Sequence, residues 1–302
     1  MPRADPGTAS PGQARALRLG TLAAFAAYGT WGILPLFWKQ LAAVGAAEVL
    51  CHRVLWSGLF LALVLLGQGR VGEVVRIWRK PASALAVLGC SILITLNWGI
   101  YIWAVQVGRV TEASLGYYIT PLLSVALGAL FFHERLDRWA RVSVGLAGLG
   151  VAVATGCLGS LPWVAMVLSS SFALYGALKK KAGLGALSGL AAETFISMPF
   201  ALAYLGHLRG GAFLAAGPKT ALLLVLAGPV TALPLLTFAY AALRIPLQRL
   251  GFIQYFSPTL QLGIGLFLLG EHLNAPMRFA FGTVVAAVLL YAATRPRRPR
   301  EA

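Results

Sequence analysis

Long apolar runs, joined by short charged links, constrain this chain more than any other feature. The run at residues 142–159, VSVGLAGLGVAVATGCLG, contains no charged side chain. A bilayer's hydrocarbon core is about 30 Å thick, and about 20 apolar residues of helix cross it. Strands of a membrane barrel instead alternate over about 10 residues, which these runs do not. Ten such segments are read, at about 19–38, 46–67, 82–106, 112–132, 139–157, 161–178, 187–206, 220–242, 247–269 and 277–294. The expected fold is an all-α integral membrane protein of ten transmembrane helices. Composition excludes the alternatives. Hydrophobic residues are 59% and charged residues 11% of the 302, with a mean hydropathy of +0.78. Soluble domains hold about 45–50% apolar and about 25% charged residues. There is too little polar surface here to coat a soluble body, and disordered chains are less apolar still.

The net charge of +16 would suggest nucleic acid in a soluble protein. Its placement argues otherwise. Counted over alternate loops, 19 Lys and Arg fall on one side of the membrane and 5 on the other, with Arg53 inside a span. The positive-inside rule puts both termini in the cytoplasm. Residues 1–18, rich in Pro, Ala and Gly, are expected to be a disordered cytoplasmic N-terminus, and 295–302 a basic cytoplasmic tail. The first apolar stretch lacks a small-residue cleavage site and is read as a retained helix. Cys51, Cys90 and Cys157 lie inside apolar runs without a CxxC, so they read as small core residues.

The chain also repeats. A shift of 137 residues places Tyr118 on Tyr255, Pro121 on Pro258, Gly128 on Gly265 and Glu134 on Glu271. Proline and glutamate are scarce in apolar spans, so those matches weigh most. Phe25–Gly29 (FAAYG) likewise matches Phe172–Gly176 (FALYG), and Glu48 matches Glu193. Two halves of five helices follow, 19–157 and 161–294. Five is odd, so the second half enters from the opposite face: an inverted repeat, as in many secondary transporters.

Polar groups within a bilayer are costly and point to function. Glu48, His52 and Arg53 form a candidate charge network for coupling or solute contact, with Glu193 as the repeat counterpart of Glu48; an inter-helix ion pair is the structural alternative. Glu48 and His52 share a helical face, whereas Glu48 and Arg53 do not. The segments GYYITPLLSVALG and GFIQYFSPTLQLGIG carry central prolines, which free a backbone carbonyl one turn earlier, at Tyr117 and Gln254. Such a carbonyl must face protein or a wet cavity. The faces bearing Tyr117 and Pro121, and Gln254, Pro258 and Gln261, are expected to line one central cavity, the alternative being a packing kink with glycines for close helix contact. Tyr28, Trp31, Asn97, Trp98, Tyr101, Tyr175 and Phe238 add aromatic and amide groups suited to an amphipathic organic solute. Glu134 and Glu271 end their helices and read as gates or as salt bridges with Arg141 and Arg278. Their histidine neighbours do not make a metal site, because inversion puts the two pairs on opposite membrane faces. No GxxxxGK, GxSxG or HExxH motif occurs, so neither ATP drive nor those hydrolytic chemistries are indicated, and no cofactor is expected.

Five segments carry a family resemblance: YGTWGILPLFWK (28–39), EVLCHRVLWS (48–57), NWGIYIWAV (97–105), EASLGYYITPL (112–122) and GFIQYFSPTL (251–260). In that order they resemble the RarD group, in the EamA branch of the drug/metabolite transporter superfamily. The resemblance spans about residues 20–290. It implies ten helices, cytoplasmic termini and a central cavity between two five-helix halves. It also implies signature roles for Glu48, His52, Arg53, Asn97, Trp98, Tyr117, Pro121, Glu134, Gln254, Pro258 and Glu271. The expected function is inner-membrane export of small organic solutes such as metabolites or drugs by alternating access. The partners would be the solute, the lipid bilayer and, under ion coupling, protons, with no nucleic acid. A non-transporting scaffold or an intramembrane lipid-modifying enzyme is the rival. An enzyme should cluster its acids, which here are scattered.

Overall fold

The computed structural model describes residues 11–132, 138–183, 185–242, 244–245, 250 and 253–294. It is all-helical in these residues. The elements are α1 (Pro11–Lys39), α2 (Ala46–Gly67), α3 (Val71–Trp78), α4 (Pro81–Gln106), α5 (Val110–Phe132), α6 (Arg138–Leu158), α7 (Trp163–Ala182), α8 (Ala186–His207), α9 (Gly211–Ala215), α10 (Pro218–Ala242), α11 (Phe256–Gly263) and α12 (Ala275–Thr294). A π turn, Ile264–Leu268, follows α11. Among the described residues, eight helices are long and apolar enough to cross a bilayer. Two apolar helices are shorter, Trp163–Lys179 and Phe256–Leu268.

Several boundaries differ from expectation for local reasons. Helix α1 begins at Pro11, so residues 11–18, expected to be disordered, are helical. Proline suits a first helical position, and the Ala, Arg and Leu that follow are strong helix formers. The link after α2 holds a further helix, α3, whose Val74 is buried beside Leu61, Leu65, Leu187 and Leu190. Its entry is fixed by Arg70, whose Nε donates to Glu73 Oε1 at 2.8 Å. The continuous helix expected at 247–269 is interrupted. Tyr255 alone separates helical Ile253 and Gln254 from α11, which starts at Phe256, so Pro258 sits in the first turn of α11 with no N–H to leave unpaired. Pro121, by contrast, lies inside α5. The two prolines therefore do different local work.

Helix α5 packs along α7 and α11, α4 along α7 and α8, α1 along α10 and α11, α2 along α8 and α10, and α6 along α12. Glycines permit the closest approaches. A Cβ on Gly116 would stand 2.8 Å from the Ala165 carbonyl oxygen across the α5–α7 seam, and one on Gly228 would overlap the Trp56 backbone. Tyr118 on α5 stacks on Tyr255 at 6.0 Å, and its hydroxyl lies 2.5 Å from Thr259 Oγ1. Ser114 Oγ donates to the Pro258 carbonyl at 2.8 Å.

One end of the bundle is solid. Trp38, Leu41, Val49, Ile102, Val110, Val164 and Leu224 form a buried cluster there. Polar groups fasten its rim. Gln106 Nε2 donates to the Leu41 and Val44 carbonyls, each at 3.1 Å. Glu112 Oε1 accepts from the Val164 N–H at 3.0 Å, opening α7. Glu271 accepts from the N–H groups of Val110 and Thr111 at 2.6 and 2.7 Å, opening α5. Helix N-termini carry unpaired N–H groups and partial positive charge, so carboxylates suit them.

Candidate functional site

A cavity of about 340 Å³ lies beside that solid end and extends toward Lys179. Ligand pockets run from about 300 to 1,000 Å³. Its walls come from Tyr28, Trp31 and Leu34 on α1, Arg53 on α2, Ile94, Asn97, Trp98 and Tyr101 on α4, and Tyr117 and Thr120 on α5. Helix α7 adds Phe172, Tyr175 and Lys179, α8 adds Leu187 and Leu190, and α10 adds Thr231, Leu235, Leu236 and Phe238. Gln254, Ser257, Pro258 and Gln261 complete it. No described residue of α6 or α12 lines it.

The aromatics form two walls. On one, Tyr28, Trp31 and Phe238 meet with ring centroids 5.2 to 5.9 Å apart. On the other, Tyr117 joins Tyr101 at 5.7 Å and Phe172 at 6.4 Å, and Phe172 joins Tyr175 at 5.9 Å. Such tilted and edge-on contacts are the favoured geometries of aromatic pairs.

The polar groups divide into those already engaged and those free. Asn97 Nδ2 donates to the Leu168 carbonyl and to Ser171 Oγ, both at 2.9 Å, and its Oδ1 accepts from the Tyr117 hydroxyl at 3.2 Å. Asn97 thus braces α4 against α7 and is not a free solute contact. Gln261 Nε2 donates to the Trp31 carbonyl and to Ser257 Oγ, each at 3.3 Å, while its Oε1 is unpartnered. The Tyr101 hydroxyl and Arg53 Nε are also buried without a hydrogen bond. Gln254, half-buried at the wall, makes no hydrogen bond among the described residues.

The ionisable residues are not one network. Glu48 Oε1 accepts from the Ala212 N–H at 2.6 Å, securing α9. His52 stacks on Phe213 at 5.2 Å, and neither ring nitrogen has a hydrogen bond. Arg53 lies over Trp98 at 3.9 Å and near Trp38 at 5.4 Å. Of the three, only Arg53 reaches the cavity, because successive turns of α2 aim them at different neighbours. A desolvated cation–π contact is worth about 2 kcal/mol, against a penalty of several kcal/mol for taking an ion out of water. Glu193 forms an ion pair with Lys179, Nζ to Oε1 at 3.0 Å, and its Oε2 accepts from the Tyr175 hydroxyl at 3.0 Å. Lys179 Nζ donates to Tyr175 Oη at 2.6 Å. This triad stands at the cavity edge remote from Trp38.

Eleven of the twelve expected lining residues thus come together: Tyr28, Trp31, Asn97, Trp98, Tyr101, Tyr117, Tyr175, Phe238, Gln254, Pro258 and Gln261. Pro121 does not line the cavity. Thr120, on the other side of Tyr117, takes that place, because the open face of α5 falls at the i+3 position and not at i+4. Glu271 caps α5 and makes no salt bridge with Arg278 among the described residues. Glu134 lies outside the described residues. Arg53, read from sequence as a charge for coupling or solute contact, lines the cavity, and so does Lys179, which the sequence reading counted only among the loop charges. The signal for Arg53 was there: it is the one Lys or Arg inside a span.

An internal aromatic cavity in a multi-helix apolar bundle defines a polytopic membrane protein with a solute-sized chamber. The EamA-like transporter family model matches residues 18–156. The chain is 46% identical over 267 residues to an uncharacterized transporter, YojE, of Bacillus subtilis (strain 168), covering 86% of this chain and 89% of that one. It is 44% identical over 277 residues to the protein RarD of Streptomyces exfoliatus, covering 90% and 88%. A Pseudomonas aeruginosa relative, 29% identical over 277 residues and covering 90% and 92%, is named chloramphenicol-sensitive protein RarD. One crystal structure superposes with a TM-score of 0.60 at 19% identity, covering 94% of this chain and all of that one, a likeness of fold alone. The chain belongs to the RarD group of the EamA-like transporter family, and it is a multi-pass membrane protein.

Proposed function

We infer that this protein is an inner-membrane secondary carrier that exports small organic solutes by alternating access, with both termini in the cytoplasm. The observation that carries this reading is the cavity, walled by aromatic side chains with few unengaged polar groups and built from both halves of the chain.

The helix contacts support an inverted repeat. Exchange α1 with α7, α2 with α8, α4 with α10, α5 with α11 and α6 with α12, and the set of principal neighbours is unchanged. The contact of Tyr118 with its repeat counterpart Tyr255 is what a two-fold axis between α5 and α11 would produce. The two aromatic walls exchange in the same way. Short helices Trp163–Lys179 and Phe256–Leu268 would then complete ten crossings. The solid end, on the poorly charged side, is the closed outer gate, and the cavity borders the cytoplasmic half near Lys179. Transport requires the Gln106, Glu112 and Glu271 fasteners to release while the Lys179–Glu193 end closes. Glu193 is the coupling candidate, because its carboxylate sits between a cation and a phenol at the cavity edge.

Single cysteines at Tyr117 and Gln254 test the reading. Labelling by impermeant reagents from both membrane faces, together with solute counterflow in proteoliposomes, is the expected result. Labelling from one face only, with no counterflow, refutes it.

A further inference from the structure

Among the described residues two charged side chains line the cavity, and they differ in one respect. Lys179 is engaged by Glu193 and Tyr175. Arg53 has no hydrogen bond or ion pair among the described residues, although it is only 4% exposed. Its guanidinium carbon lies over the Trp98 ring at 3.9 Å, a contact that uses none of its N–H groups. The Tyr101 hydroxyl, likewise buried and unpartnered, lines the same cavity. Unmet donors in a low-dielectric site call for an acceptor, and a guanidinium fork matches a carboxylate with two parallel hydrogen bonds. No described Asp or Glu lines the cavity, and the carboxylate at its edge, Glu193, is already paired with Lys179, so an ammonium group entering it would find no unpaired counter-charge.

We propose that the solute is an aromatic or comparably apolar acid bearing a single oxyanion, whose carboxylate sits on Arg53 with the Tyr101 hydroxyl as a second donor. Its body lies between the two aromatic walls. The assignment rests on the carrier reading for its transport consequence, but the binding site stands on Arg53. It predicts discrimination by charge. The neutral amide of such an acid loses the pairing, and the matching amino acid brings an unpaired cation.

The test is calorimetric titration of the full-length protein in neutral detergent with 3-phenylpropionate, 3-phenylpropionamide and phenylalanine. The acid is expected to bind about tenfold or more tightly than the other two. Arg53→Gln should bring the acid down to the amide's affinity, while Arg53→Lys should keep a weaker acid preference because a point charge replaces the fork. Where Arg53→Gln is unstable, the wild-type ratio and Arg53→Lys decide. Equal affinities, no binding of the acid, or an acid preference that survives Arg53→Gln overturns the proposal. So does displacement of the acid by added phosphatidylglycerol, which would mark a lipid-headgroup site. One-sided cysteine labelling with the acid preference intact would instead remove the carrier reading and leave the anion site.

Discussion

Two amides inside the apolar bundle do opposite jobs. Asn97 spends both donors and its acceptor on α7 and Tyr117, whereas Gln254 spends none on described residues. Asn97→Ala should therefore cost stability, about 1–3 kcal/mol for the buried groups left unmatched, read as a fall in the unfolding midpoint in detergent. Gln254→Ala should leave that midpoint unchanged and lower solute affinity in counterflow. The Lys179–Glu193 pair gives a second test. Lys179→Met strands a buried carboxylate and Glu193→Gln strands a cation, so the double variant should be more stable than the sum of the singles implies. The coupling should be about 1–3 kcal/mol in a thermal double-mutant cycle. At this scale the sequence told which side chains face inward and not what they hold. Asn97 and Arg53 are both polar residues in apolar runs, and only the partner on another helix makes one a brace and the other an open donor.

At the scale of single helices, the two proline segments diverge. They match at a 137-residue shift, yet Pro121 sits within α5 and Pro258 opens α11 ahead of a π turn. Proline composition announces an irregularity, but whether the chain bends or restarts depends on the contacts around it, here Ser114 on the Pro258 carbonyl and Glu271 beneath the start of α5. The short α3 and α9 escaped notice because their apolar stretches are too brief for a span and their charges read as loop. Glu271 was legible as a helix-end acid, and its target, the Val110 and Thr111 N–H groups, was not, since 160 residues separate them. Glu271→Ala removes that fastener. A cysteine at the buried Ala113 should then react faster with an impermeant maleimide added from the membrane face where α5 begins than it does with Glu271 present. An unchanged rate would count Glu271 as a static cap.

For the whole molecule, the all-helical, multi-pass character was readable because apolar runs are a property of many residues at once. The cavity was readable only in part, since helical phase places Tyr117 inward but cannot say whether Thr120 or Pro121 completes the wall. Helices α6 and α12 pack on one another, and no described residue of either lines the cavity. The unneutralised guanidinium of Arg53 has a further consequence. An anion seated on it would cancel the charge, so the loaded protein would cross its cycle electrically silent, while the vacant one would carry a bare cation through the field. A transmembrane voltage does about 2.3 kcal/mol of work per charge per 100 mV. Polarising the vesicles should then alter how fast the empty protein resets and leave the loaded stroke alone.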